Sequence, residues 1–298
     1  MSLRRPALGL AAFALSGLLL AGCAGGSSAP ETEAPEGDAP AVTADEELHA
    51  LLPADAQEDG VVVGTEAFYP PYEYLDADGS TVIGLDIDLL DAVTARLGIS
   101  YTLENVAFDT LLPSLDGARY DIVVAGMTDT VERQANYDFV DYFNADQAII
   151  VASGNPEGIS TIADLCGQTV AVLVDSTQQE ILSEADCDEP IDILTQPTDN
   201  DALLQVQSGR AVATLTQEAT GRYNASQIGG GSAFEVANTE SIDPRPLGYV
   251  FQKDSELVEA FQAALQSLVD DGTYAEILAG YELDAAALET ITVNGAEQ

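Results

Sequence analysis

Apolar positions along the chain fall into two alternating kinds of run. Val61-Val62-Val63-Gly64-Thr65 is short and continuously apolar, the pattern of a buried strand. Asp76-Ala77-Asp78-Gly79 is a turn signal with a hairpin around it. Ile87, Leu90, Val93 and Leu97 then recur at helical spacing and stop at Gly98, a C-terminal cap. Tyr101–Val106 reads as a second strand, Leu111, Leu112 and Leu115 as a short helix, and Ile122-Val123-Val124-Ala125 as a third strand. This βαβαβ series predicts a parallel sheet with helices on both faces.

A second series repeats the alternation. Thr169–Leu173 is a strand, residues 178–185 a helix and Ile191–Leu194 a strand. Residues 200–209 form a helix ending at Gly209, and Val212–Leu215 is another strand. After residue 246 come the strand Leu247–Phe251 and an amphipathic helix carrying Leu257, Phe261, Leu265 and Leu268. A short closing helix runs from Gly272-Thr273-Tyr274 to Leu278. Two α/β lobes, with a last segment that returns to the first, predict a ligand cleft between them.

The first residues have another pattern. Arg4 and Arg5 precede an apolar run over residues 7–21, which is short for a spanning helix. The run ends in Leu20-Ala21-Gly22-Cys23, which resembles a bacterial lipobox. That resemblance implies a signal peptide over residues 1–22 and a Cys23 that becomes the lipidated first residue. Residues 24–58 are rich in Gly, Ser, Ala, Pro and Glu and lack apolar periodicity. Residues 23–59 are therefore expected to be a lipidated cysteine and a disordered tether, with His49 exposed and without a role.

Composition then removes several functions. The chain has 298 residues, 9 Lys+Arg against 51 Asp+Glu, and a net charge of −42. Nucleic acid is repelled, since Lys253 is the sole lysine. The single histidine leaves nothing from which to build a Ser-His-Asp triad or a His-rich metal site. The acidity predicts a solvated surface that keeps an exported protein soluble. With Cys23 lipidated, export leaves Cys166 and Cys187 as an expected disulfide. Metal binding is not expected from two cysteines with no histidine nearby.

Six blocks in order resemble one family. Val63-Gly64-Thr65-Glu66-Ala67-Phe68-Tyr69-Pro70-Pro71-Tyr72-Glu73-Tyr74 is similar to the opening of the family 3 extracellular solute-binding proteins, the receptors of polar amino-acid ABC importers. Gly84–Leu89 resembles the family's "GFDIDL" helix start, and Phe108–Leu115 its "W/F-D-x-L-I-P-x-L" helix. Ala125–Arg133 resembles "SGMTITPER", Asp164–Val172 resembles "DLKGKKVGV", and Asp270–Tyr274 resembles "ADGTY". The likeness covers about residues 60–281. It implies the two-lobed periplasmic-binding-protein fold of type II, with each lobe a mixed sheet flanked by helices and two hinge strands between. Lobe 1 would be residues 60–146 plus 247–281 and lobe 2 residues 147–246. The hinges would lie near Asp146 and Pro246, with residues 282–298 a C-terminal tail.

The resemblance also places a site. Arg133 follows a Thr130 able to cap the next helix, and a guanidinium there can grip a carboxylate with two parallel N–H bonds. Gly126 would offer its carbonyl to an α-ammonium, and Thr128 a hydroxyl and N–H to the carboxylate. Ser176, Thr177 and Gln178 match the family's "GTTQ" stretch, with Asp175 in place of its usual Gly. Tyr69 and Phe108 align with the walls around the ligand side chain, and Glu66 with an acid that meets a cationic or amide side chain.

One position departs from the pattern. Gln217 stands where relatives carry the Asp that pairs with the α-ammonium. A neutral amide makes a bond roughly half as strong as a charge-assisted one. Three outcomes follow: Glu218 substitutes, affinity is lower, or the ligand is a non-standard zwitterion of the ectoine or opine kind. The function implied is a lipid-anchored, extracytoplasmic receptor that is not an enzyme. It would be a monomer without cofactor, delivering a polar amino acid or related zwitterion to a permease and ATPase on separate chains. No P-loop occurs, so ATP chemistry belongs elsewhere. The alternative is an enzyme resembling the cyclohexadienyl dehydratases, with Glu66 or Glu218 as its acid. A sensor role would need a separate kinase partner.

Overall fold

The computed structural model describes residues 42–297. The signal segment and Cys23 lie outside the described residues. The first sheet has the order Tyr101–Asn105, Val61–Thr65, Ile122–Val123, Arg245–Gln252, Tyr137–Ala145. Its first three strands are parallel, as the βαβαβ series predicts. Arg245–Gln252 runs antiparallel to both of its neighbours, so the sheet is mixed rather than parallel throughout. The physical reason is that this strand returns from the other lobe and enters from the opposite end. The second sheet has the order Asp192–Gln196, Thr169–Leu173, Ala213–Gln217, Gln147–Ala152, Phe234–Val236. It is mixed in the same way, because Gln147–Ala152 runs antiparallel to both neighbours.

Burial explains the helices. In Leu85–Leu97 nine residues are buried, including Leu85, Leu89, Leu90 and Val93 on one stripe. Gly98 ends it in the left-handed conformation, φ 66°, and returns its N–H to Ala95 O and Thr94 O. The Val258–Asp271 helix packs against it and buries Phe261, Leu265 and Leu268. Together they cover one face of the first sheet and make the larger core.

The chain passes from the first sheet to the second at Asp146, between the strands ending at Ala145 and beginning at Gln147. The Asp146 carboxylate accepts from Gln147 N–H and Ile242 N–H, both at 2.7 Å. It so ties the outgoing connection to the returning one.

Both ends of the folded body reach further than the tether and tail expectations allow. Glu46–His49 and Ala54–Asp59 are helical, and Leu52 and Ala56 are buried in the first lobe's core. His49 is half-buried and its Nδ1 lies 2.7 Å from Leu97 O, so it is neither exposed nor idle. The expected bound of the tether at residue 59 is therefore too late, because those two apolar side chains find a core to enter. The C-terminal segment likewise buries Ile291 against that core.

Cys166 and Cys187 are joined by a disulfide, Cα atoms 5.5 Å apart, across a sequence separation of 21. The chain-entropy argument gives about 3 kcal/mol for a loop of this size. Replacing both cysteines with serine should lower the melting temperature by roughly 10 °C for a body of this length. A shift of only a degree or so in calorimetry would contradict that contribution.

Candidate functional site

Every residue singled out for the ligand lines one cavity, at the carboxyl ends of the strands where the two sheets face each other. Glu66, Tyr69, Phe108, Gly126, Thr128 and Arg133 come from the first lobe. Ser176, Thr177, Gln178 and Gln217 come from the second, and Glu73, Ala125 and Leu173 complete the lining.

Local geometry explains the residue types. Gly126 has φ +51°, and a Cβ there would sit 3.2 Å from the Tyr69 ring, so both backbone and space call for glycine. Its N–H donates to Asp86 Oδ2 at 2.9 Å. Asp86 in turn accepts from Tyr142 O–H at 2.7 Å. Asp175 has φ +58°, the conformation that a glycine would hold without strain. Its side chain is exposed, so the charge added there points to solvent and not into the cavity. Ser176 caps the Thr177–Ser183 helix by accepting from Gln179 N–H, and donates its hydroxyl to Leu173 O at 2.7 Å.

Arg133 bridges the lobes. Its Nη1 donates to Thr128 O at 2.8 Å and its Nη2 to Asp175 O at 3.2 Å. Thr130 caps the turn that aims it. That helix, Val131–Gln134, is a single turn, so its dipole is small and the guanidinium itself supplies the positive charge. Burial lowers Arg133 to about 10, which leaves it charged at neutral pH. None of the ion pairs among the described residues involves it.

The lobes meet through further side chains. Tyr69 Oη lies 3.2 Å from Thr216 Oγ1, and Thr128 Oγ1 lies 3.3 Å from Thr177 Oγ1. Within the second lobe, Gln178 Nε2 donates to Gln147 Oε1 at 2.7 Å. Gln217 Nε2 donates to Gly126 O at 2.9 Å, the acceptor expected to meet an α-ammonium, while its Oε1 is buried without a partner. The cavity left is about 20 Å3, room for one water. This is a closed form in which cleft groups satisfy one another, and the lobes must part before an amino acid can enter. Phe108 is half-buried on the wall.

Glu218 does not substitute for the absent Asp. It accepts from Arg222 Nε at 2.8 Å, one turn along its own helix, with its side chain 39% exposed.

Buried acids, by contrast, lie in and behind the cavity lining: Glu66 and Glu73 line it, and Asp86 and Asp199 are buried behind them. Glu66 is 2% exposed and its Oε1 has no hydrogen-bond partner. Burial, and next the charge of Asp199, push its carboxyl up to about 8. Glu73, also buried, is raised well above the carboxylate range by burial and by Asp86 beside it. Burial lifts Asp86 and Asp199 to about 6 each. Among the described residues none of these four is ion-paired with a basic side chain. Glu73, Asp86 and Asp199 carry no signal in the sequence that separates them from the many solvated acids, although the first two lie inside family-like blocks. No group of three or more His, Cys, Asp or Glu among the described residues is placed to hold a metal ion.

The sequence model of the bacterial extracellular solute-binding proteins, family 3, matches residues 61–284. The chain belongs to this family. Family 3 relatives include the arginine-binding protein ArgT of Corynebacterium glutamicum, 30% identical over 256 residues and 83% of each chain. The lysine/arginine/ornithine-binding periplasmic protein of Escherichia coli is 30% identical over 74% of this chain and 86% of its own. Among solved structures, an ancestral arginine-binding protein bound to arginine superposes with a TM-score of 0.70 at 32% identity, covering 74% of this chain and 97% of that one. The two-lobed periplasmic-binding-protein fold is thus the fold of this chain. Its relatives are amino-acid-binding, extracytoplasmic receptors of ABC transporters rather than enzymes.

Proposed function

We propose that this protein is a receptor for a basic amino acid, anchored by lipid at Cys23 to the outer face of the cell membrane. It works as a monomer and hands its cargo to a permease and ATPase on separate chains. The observation that carries the ligand class is Glu66, a buried carboxyl with an unpartnered oxygen in a cavity that also holds Arg133. A buried carboxylate needs a cation, and among the described residues no basic side chain pairs with Glu66. Cargo with a carboxylate at one end and a cationic side chain at the other completes both. Arg133, Thr128 and Thr177 take the carboxylate, Tyr69 and Phe108 flank the stem, and Glu66 takes the cationic head. The basic cargo named for the relatives agrees with this reading. Gly126 O and Gln217 Oε1 are then neutral acceptors for the α-ammonium. The tether and lipid follow from the basic, apolar and Leu-Ala-Gly-Cys order at the N-terminus. No helix among the described residues is long and apolar enough to cross a membrane.

A pH dependence follows. In the closed form Glu66 is raised to about 8, so at neutral pH it is mostly protonated. A cationic head favours the ionised form, and binding must then release that proton. Arginine affinity is expected to rise roughly fiftyfold between pH 6 and pH 8 and to flatten above. Isothermal titration in buffers of different ionisation enthalpy reads both the affinity and the proton. A flat profile with no proton release would remove Glu66 from the cationic end.

The same protonated carboxyl is what a dehydratase would need in order to protonate a leaving hydroxyl. Prephenate incubated with the purified protein decides this second reading. Unchanged prephenate retires it, and turnover would replace the receptor account.

A further inference from the structure

The family match stops at residue 284, yet the chain continues along the outer strand of the first sheet. Val293 bridges Val140. Asp141 N–H donates to Thr292 O at 2.9 Å, and Asn294 N–H donates to Phe139 O at 3.0 Å. The Asn294 side chain extends the pairing by accepting from Phe139 N–H and donating to Asp138 Oδ1, both at 2.9 Å. The tail is therefore a short added strand on Tyr137–Ala145.

Past Asn294 it turns beneath the loop that carries Thr128 and Arg133. Gly295 N–H donates to Asp141 Oδ2 at 2.8 Å, and Ala296 N–H donates to Asp129 Oδ2 at 3.0 Å. Asp129 stands between Thr128, which lines the cavity, and Thr130, which caps the turn aiming Arg133. Its N–H donates to Pro246 O at 2.8 Å, and its carboxylate accepts from Gln134 Nε2 at 2.9 and 2.8 Å. Asp129 and Asp141 are both 0% exposed and face each other. Burial and the neighbouring Asp129 charge raise Asp141 to about 7, and its Oδ1 is buried without a partner. Buried carboxyls stripped of their N–H donors are costly, and this pair takes its donors largely from the tail.

We propose that residues 292–296 are a strap that positions Thr128 and Arg133 for the cargo's carboxylate by satisfying the buried Asp129–Asp141 pair. Asp129 is a positioning residue here: it does not line the cavity and acts through its neighbours in the loop. The strap's purpose rests on the role given to Arg133 above, whereas its hold on the loop does not.

The test uses two variants of the full protein, one lacking Asn294–Gln298 and one carrying Ala296→Pro, which removes a single N–H. Hydrogen exchange is followed at the amides of Asp129, Arg133 and Gln134. Affinity is measured for arginine and for argininamide, which lacks the carboxylate. Both variants should exchange these amides at least tenfold faster while the Thr169–Leu173 strand stays protected. Arginine affinity should fall roughly tenfold, and argininamide affinity less than twofold. Unchanged exchange at the loop would overturn the strap. Equal losses for the two ligands would overturn its link to the carboxylate. A parent protein that binds neither arginine nor glutamine would instead sink the Arg133 role and, with it, the strap's purpose.

Discussion

Arg133→Ala should weaken arginine binding by roughly a hundred- to a thousandfold. The side chain is half-buried and charged, and bonded only to main-chain oxygens, Thr128 O and Asp175 O. Those neutral acceptors leave its charge uncompensated, and a ligand carboxylate compensates it with two parallel N–H bonds. Truncating one partner of a buried, hydrogen-bonded charge pair costs about 2–5 kcal/mol, which converts to that range of affinity. The variant also removes the link between Thr128 and Asp175, so the lobes should close less readily without cargo. Arg133→Lys should recover only part of the loss, because a point charge replaces the planar fork. Titration calorimetry on refolded protein checks both variants. Affinity within threefold of the parent for Arg133→Ala would mean that the carboxylate binds elsewhere.

Glu66→Gln should cost arginine roughly a hundredfold while leaving a neutral amino acid such as glutamine unaffected or improved. The carboxyl is buried, with one oxygen free, and it must ionise to hold a cation. The amide keeps the shape and a carbonyl acceptor but forfeits the charge. A charge-assisted bond lost in a desolvated site is worth about 2–3 kcal/mol beyond its neutral replacement. The rise of affinity with pH should vanish in the same variant, because the proton that arginine displaces is gone. Protein stability should improve slightly at pH 8 and change little at pH 5. The carboxyl's raised value means that it destabilises the closed form progressively as pH rises from about 4.5 to about 8, and by a constant amount above. If Glu66→Gln binds arginine as tightly as the parent, the cationic head lies against other acids, with Asp199 the first to examine.

Much of this architecture is legible in the residue pattern, for physical reasons that also mark where it stops. Val61–Thr65 and Thr169–Leu173 stand out because a strand covered on both faces must be apolar throughout. Leu85–Leu97 stands out because its buried stripe repeats at helical spacing and Gly98 closes it. The returning strand Arg245–Gln252 shows its apolar residues but not its direction, which depends on the lobe from which it comes. The segments at each end are illegible for a different reason. Leu52, Ala56 and Ile291 lie in short mixed segments, and one or two buried side chains make no period.

The site divides the same way. Arg133 is conspicuous because bases are scarce in this chain, and Gly126 because it adjoins a strand end and needs φ +51°. Glu73, Asp86 and Asp199 are hidden among 51 acids, and only burial tells them from solvated ones. Gln217 shows in the sequence as a missing charge. Its amide bond to Gly126 O, which closes the cleft on itself, appears only when the lobes are brought together.

The most direct test of the receptor account is a thermal-shift series on the soluble body, unfolded and refolded to strip carried cargo. Arginine, lysine and ornithine are compared with glutamine, histidine, ectoine-type osmolytes and opines. Ligand at about a thousand times its dissociation constant stabilises by roughly 4 kcal/mol, or on the order of 10 °C for a body of this size. The account predicts that shift for at least one basic amino acid, and a smaller one for glutamine at equal concentration. No shift with any basic amino acid, beside a large one with a neutral amino acid or an osmolyte, would contradict it.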